Sequence, residues 1–159
     1  MLWSHRASWA DLTVPVPVGS GKVGLDLSTE WSRHWSVGWR RGRGEEVLSV
    51  RDLAQAALTS IDPVRAFTWH RAQRHRPGLQ FLVSTGRHHG FESLEEARVL
   101  LALDFAGDVL DVVSQPMRLD FATERGRRAH TPDYLAVTSS GVWLIDVRPR
   151  RLIKPEDLE

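Results

Sequence analysis

The stretch HTPDYLAVTSSGVWLIDVRP, residues 130–149, decides how this chain is read. Two apolar runs rich in β-branched residues, Tyr134–Thr138 and residues 142–147, flank Ser139-Ser140-Gly141, with Pro132 and Pro149 at the exits. Such runs around a short turn signal predict an antiparallel hairpin. A tight turn at Ser139-Ser140 places Asp133 opposite Asp146. One face then carries Asp133, Leu135, Val137, Val142, Leu144, Asp146 and Arg148, and the other Tyr134, Ala136, Trp143, Ile145 and Val147. Both faces are largely apolar, which predicts strands central in a sheet. Two opposed carboxylates repel each other and lose hydration, so a positive partner is expected between them. A divalent cation with oxygen ligands fits, and Arg148 reaches the same space. Two separate strand-end acids in solvent is the other reading, and the hairpin alone leaves both open.

Upstream, residues 92–106 have the length and pattern of a helix, with Leu94, Ala97, Leu101 and Phe105 as its apolar stripe and Gly107-Asp108 closing it. Glu92 and Glu96 share a face, and Glu96 flanks the stripe where an acid is partly buried. Acids at a helix start are also favoured by the macrodipole alone. Val109–Ser114 and residues 118–122 read as strands, punctuated by Gln115-Pro116 and by Glu124-Arg125-Gly126-Arg127. The order is a helix followed by a meander of strands. One helix acid (Glu96), two strand acids (Asp133, Asp146) and a trailing basic residue (Arg148) compose a metal-dependent phosphodiesterase set, able to hold a cation that acidifies water and stabilises a pentavalent phosphate.

The first part of the chain is less regular. Residues 12–18, with Pro15 and Pro17, read as an edge strand or extended arm broken by Gly19-Ser20-Gly21. Trp31, Trp35 and Trp39 suit a helical face, while residues 35–39 also alternate like a strand, and the pattern does not choose. Ser49 and Asp52 form a capping pair for a helix through about Thr59, ended by Asp62-Pro63. Residues 154–157 resemble the first turn of a further helix, which points to a fragment of a longer protein. Residues 1–64 are set apart as an extension of unknown role, and 65–159 as the core of one α/β domain.

Composition narrows the chemistry. With 159 residues, 42% hydrophobic, the chain can bury a core. No cysteine is present, so disulfides, thiolate zinc sites and cysteine nucleophiles are excluded. His88, His89 and His130 lack zinc-ligand spacing. No apolar run spans a bilayer and no secretory signal opens the chain, so a cytoplasmic location and no membrane partner are expected. The net charge of +1 conceals a basic stretch: residues 61–91 hold five arginines against one acid, Asp62. A basic stripe of this kind suits nucleic-acid contact or else a solvated face.

His130-Thr131-Pro132-Asp133-Tyr134 followed by Asp146-Val147-Arg148-Pro149 resembles the PD-(D/E)XK nuclease core. With Gly86-Arg87-His88-His89-Gly90-Phe91-Glu92-Ser93, Glu96 and Ser114-Gln115-Pro116, the ordered set is similar to the catalytic domain of TnsA-like endonuclease subunits of heteromeric transposases, over residues 65–157. The resemblance implies a restriction-endonuclease-like α/β core, a mixed central sheet flanked by helices. It implies Mg²⁺- or Mn²⁺-dependent cleavage of double-stranded DNA at transposon ends, beside a DDE-type transposase subunit and an ATPase regulator, and with it that Arg71, Arg74, Arg76, Arg87 and His88 track backbone phosphates near the cut, unless they belong to a solvated loop. By motif position Glu96 matches the helix acid, Asp133 the central metal ligand, Asp146 the first residue of the (D/E/Q)XK pair, and Arg148 its lysine. Arginine there is a departure, since it stays protonated and positions water or stabilises charge but cannot act as a base. A catalytically silent DNA-binding or regulatory subunit is the alternative.

Overall fold

The computed structural model describes residues 24–65 and 77–149. Nine strands and three short to medium helical segments occur among them. A single helical turn, α1 (Trp31–His34), leads into β1 (Ser36–Arg41) and β2 (Gly44–Ser49), so the tryptophan series is helical at its start and extended after it. Ser49 and Asp52 do meet, Oγ donating to Oδ2 at 2.6 Å, but the segment they start is a short 3-10 helix, Val50–Gln55, and not a helix to Thr59. Then follow β3 (Gly78–Leu82), β4 (Arg87–Phe91), α2 (Leu94–Ala106), β5 (Val109–Ser114), β6 (Arg118–Thr123), β7 (Gly126–His130), β8 (Tyr134–Thr138) and β9 (Gly141–Ile145). The arm at residues 12–18, the break at 19–21 and the turn at 154–157 lie outside the described residues.

The expected α/β architecture, a restriction-endonuclease-like core with a mixed sheet flanked by helices, is corrected. Among the described residues strand is the main element, 44% against 20% helix, antiparallel and arranged in three small sheets ordered β2-β1-β6-β7, β3-β4 and β5-β8-β9. Every ladder among the described residues is antiparallel. The physical reason lies in the connections. β1 to β2, β3 to β4, β6 to β7 and β8 to β9 are joined by turns of a few residues, which reach only an antiparallel neighbour, whereas a parallel pair needs a long crossover. The meander is also broken. β5 pairs with β8, while β6 and β7 leave to extend the sheet that begins with β1 and β2.

The departure happens at one corner. Gln115 adopts a left-handed backbone, φ 47°, rare for a residue with a side chain. Its amide donates to the Asp133 carbonyl at 2.7 Å and its carbonyl accepts from the Val64 amide at 2.9 Å, so the turn is held on both sides.

The β5-β8-β9 sheet separates two apolar clusters. On one side Leu100, Leu103 and Ala106 of α2 pack with Leu82, Val109, Val112, Tyr134 and Ala136. On the other, Val37, Trp39 and Ile61 pack with Val113, Met117 and Leu135. Alternate residues of β8 thus enter different cores, as expected of a strand apolar on both faces; each fully buried large side chain contributes about 1.5–3 kcal/mol. The second cluster ties part of the segment set apart as an extension, residues 24–64, to the chain that follows: Ser36, Val37 and Gly38 pair with Asp120, Leu119 and Arg118.

The helix α2 needs a second correction. Its buried face is Glu96, Leu100, Leu103 and Ala106, while Leu94, Leu101 and Phe105 of the expected stripe are 53%, 50% and 60% exposed. The helix is apolar on nearly all sides, so periodicity selects no face, and contacts with Leu82, Tyr134 and Ala136 decide. Gly107 ends it in the left-handed region, φ 75°, where a Cβ would be strained. No helix among the described residues is long and apolar enough to cross a membrane.

Candidate active site

The β8-β9 register is Tyr134 to Ile145, Leu135 to Leu144, and Ala136 to Trp143, as the turn at Ser139-Ser140 predicts. Continued by one pair, it brings Asp133 and Asp146 to the same end of the hairpin. There the Val147 amide donates to Asp133 Oδ2 at 2.7 Å. Asp133 is half-buried, while Asp146 and Arg148 are exposed.

Glu96 arrives from the first turn of α2. Ser93 is the N-cap: its Oγ accepts from the Glu96 amide at 3.2 Å and donates to Glu96 Oε1 at 2.8 Å, while the Glu92 amide donates to Oε2 at 2.8 Å. This reciprocal pattern is a capping box shifted by one residue, and it explains how a carboxylate becomes buried without losing all its partners. Beside it, the buried Tyr134 hydroxyl donates to the Gly90 carbonyl at 3.1 Å. Burial raises the Tyr134 phenol pKa, and the charges of Glu96 and Asp133 raise it further.

Asp133 gathers the set. Burial pushes its carboxyl up to about 6; the Val147 amide pulls the other way, and the neighbouring charges of Glu96 and Asp146 add to the rise while His130 opposes it. Glu96 and Asp146 thus each act on Asp133 through their charge. Burial is the largest cause of the rise, and the neighbouring charges come after it.

His130 belongs to the site, although its spacing in the sequence marks it only as an unsuitable zinc ligand. Its Nε2 stands 2.9 Å from both Asp146 oxygens. The Asp146 hydrogen bond raises its pKa, burial opposes this, and the Arg148 charge also opposes it, so Arg148 lies close enough to act on the imidazole. His130 is the last residue of β7, a strand whose first residues read as a turn; only the pairing of β7 with β6 shows that it ends beside Asp146. Arg65 carries no local signal either. Its Nε donates to Gln115 Oε1 at 2.6 Å and one terminal nitrogen donates to Glu92 Oε2 at 3.0 Å, linking the start of α2 to the corner that holds the Asp133 carbonyl.

The residues expected to track phosphates fare differently. Arg87 is ion-paired with Asp111, a pairing invisible to local sequence because the partners sit on β4 and β5. His88 is exposed and its ring packs edge-on against Phe81 at 5.2 Å. Arg71, Arg74 and Arg76 lie outside the described residues. The neighbouring His89 is buried, shares a 2.7 Å hydrogen bond with Thr85, and has a lowered pKa through burial first and the Arg87 charge second.

Carboxylate oxygens are the donors that Mg²⁺ or Mn²⁺ prefers, and Asp133, Asp146 and Glu96 supply them. The gathering is incomplete: among the described residues no three His, Asp or Glu side chains stand together as a metal group, and Glu96 and Asp146 spend oxygens on the Ser93-Glu92 cap and on His130. Compared with known proteins, the chain matches no family model and no curated protein.

Proposed function

We propose that this chain is a divalent-metal-dependent DNA endonuclease subunit that hydrolyses a phosphodiester. The finer reading is a TnsA-like role at transposon ends beside a DDE-type transposase. The observation that carries the proposal is the β8-β9 register, which brings the half-buried Asp133, held by the Val147 amide, to the same hairpin end as Asp146. A partly buried carboxylate with other carboxylates acting on it is a feature that functional sites share.

Asp133, Asp146 and Glu96 are the residues that would hold Mg²⁺ or Mn²⁺. When bound, the ion supplies a more acidic water and neutralises charge on the phosphate. The chain's own residues do the rest. The Val147 amide fixes the Asp133 carboxylate, the Ser93 hydroxyl and Glu92 amide fix Glu96, and His130 orients Asp146. Arg148 cannot deprotonate water and serves as a fixed positive charge at the strand end. The proton from the attacking water then passes to solvent or to the substrate phosphate.

Nicking of supercoiled plasmid in Mg²⁺ or Mn²⁺ tests the reading. Asp133→Asn is expected to lower the metal-dependent rate by about a thousandfold or more, an effect of the order expected when a charge-stabilising group in an active site is removed. Unchanged nicking in that variant refutes it.

A second reading, a silent DNA-binding subunit, is favoured by the incomplete gathering of the carboxylates and by arginine at position 148. Calorimetry with Mn²⁺ separates the two: the nuclease binds the ion through Asp133 and Asp146, and the silent subunit does not.

A further inference from the structure

Apart from His130 at its end, in contact with Asp146, the β6-β7 hairpin has no role in the chemistry just described. All five residues of β7 are exposed. The strand is the outer edge of its four-stranded sheet, with β6 as its neighbour on one side only. Edge strands invite unwanted pairing and are commonly protected by charge. Here the charge is Arg127 and Arg128 on the strand, with Arg125 in the turn before it.

These arginines differ from many others in the molecule. Arg33, Arg41, Arg65, Arg87 and Arg118 are each ion-paired with a carboxylate. Among the described residues, the guanidinium groups of Arg125, Arg127 and Arg128 have neither an ion pair nor a hydrogen bond, although Glu124 is adjacent in sequence and Asp120 lies on the facing strand. Asp120 is taken up by Arg118 through both its oxygens. Three uncompensated cations thus stand within four consecutive positions of an exposed ribbon.

Their placement relative to the acids is set by strand geometry. Arg128 and His130 are two apart and share a face, opposite Phe121 and Leu119, while Arg127 projects from the other face. At about 3.3 Å per residue Arg128 lies about 7 Å along the strand from His130, and Arg125 about 17 Å. The longer distance equals about five nucleotides of B-DNA rise at ~3.4 Å each. A two-stranded ribbon also fits the width of the major groove.

We propose that the β6-β7 ribbon is a duplex-DNA arm, laying Arg125, Arg127 and Arg128 along the phosphates or groove beside the bond nearest Asp133 and Asp146. This rests on the reading of the chain as one that acts on DNA. The ribbon supplies electrostatic grip and orientation, and the acids supply the chemistry.

The test measures binding without cleavage. Full-length protein is titrated in EDTA against a fluorescent duplex of about 30 base pairs, by anisotropy, at several salt concentrations. The triple variant Arg125→Ala/Arg127→Ala/Arg128→Ala is expected to bind at least about tenfold more weakly near 100 mM salt. The slope of log K against log salt should shrink by about 2 to 3, at roughly 0.9 for each phosphate the protein no longer neutralises. Arg40→Ala/Arg43→Ala/Arg51→Ala removes equal charge from exposed positions towards the opposite edge of the sheet and should stay within about threefold of the parent. The single variant Arg127→Glu repeats the measurement with one exposed change, so a misfolded triple variant does not decide the outcome. Circular dichroism checks the fold of each.

Parent-like binding by both ribbon variants overturns the proposal. So does equal weakening in the control triple, which would mean bulk charge, or tighter binding to single-stranded than to duplex DNA. Absence of duplex binding by the parent protein overturns it as well. A protein that grips duplex through the ribbon but never nicks plasmid refutes the nuclease reading and leaves the arm standing.

Discussion

At the turn between β3 and β4 the Asp104 carboxylate of α2 accepts the Val83 and Ser84 amides, at 3.0 and 2.7 Å. At the end of β8 the Asp133 carboxylate accepts from the Val147 amide and has Glu96 and Asp146 for neighbours. Burial pushes both carboxyls up. For Asp104 the Ser84 and Val83 amides outweigh it and the net pKa is lowered, whereas for Asp133 the neighbouring acids join burial and the value rises to about 6. The contrast separates an acid that closes a turn from one that costs stability where it stands. The first needs no further ligand; the second makes sense where a cation arrives.

The largest expected effect sharpens the first half of that contrast. Asp104→Ala leaves two turn amides to water and should destabilise the fold by about 2 kcal/mol near neutral pH, read by urea unfolding. Because the folded pKa is lowered, this contribution is present above 3.8 and lost as pH falls through the folded value. A variant as stable as the parent at pH 7 would break the comparison.

Asp133→Asn should do the opposite. The folded state holds the extra proton between 3.8 and about 6, so parent stability falls as pH rises through that window and is level above it. Asparagine does not titrate. The variant should therefore gain about 1 kcal/mol at pH 8, allowing for solvent screening of a partly exposed group, and match the parent at pH 4. Thermal melts at the two pH values decide, and a loss at pH 8 would mean that Asp133 is an ordinary structural acid.

The smallest effect concerns the imidazole that offsets the acids. His130→Ala should cost about 0.5 kcal/mol or less, since the pair is well exposed. His130 is raised from 6.5, so its contribution is full below 6.5 and disappears as pH climbs through the folded value. Melting at pH 5.5 and pH 9 should show a difference between parent and variant only at the lower pH.

The opposition of Asp133 and Asp146 was legible because a two-residue turn sets a hairpin register, whereas Glu96 was expected to be partly buried beside a stripe that proves exposed, and its burial follows from the face that α2 turns to Leu82 and Tyr134. His130 and Arg65 were not legible. Their partners, Asp146 and Glu92 with Gln115, are reached only through the pairing of β7 with β6 and through the corner after β5. The ion pair of Arg87 was hidden for the same reason, since its partner Asp111 is on another strand.

What the amino-acid order determined by itself is what short-range geometry dictates: the β8-β9 hairpin and its register, the helix that ends at Gly107, and the strand β5. Tertiary structure alone decided the rest. It chose which face of an all-round apolar helix is buried, set β5 beside β8 instead of β6, and ended the arginine-rich β7 at Asp146. Those choices depend on packing and pairing between residues far apart along the chain, where many arrangements satisfy the same local pattern and only the burial of both clusters at once selects one.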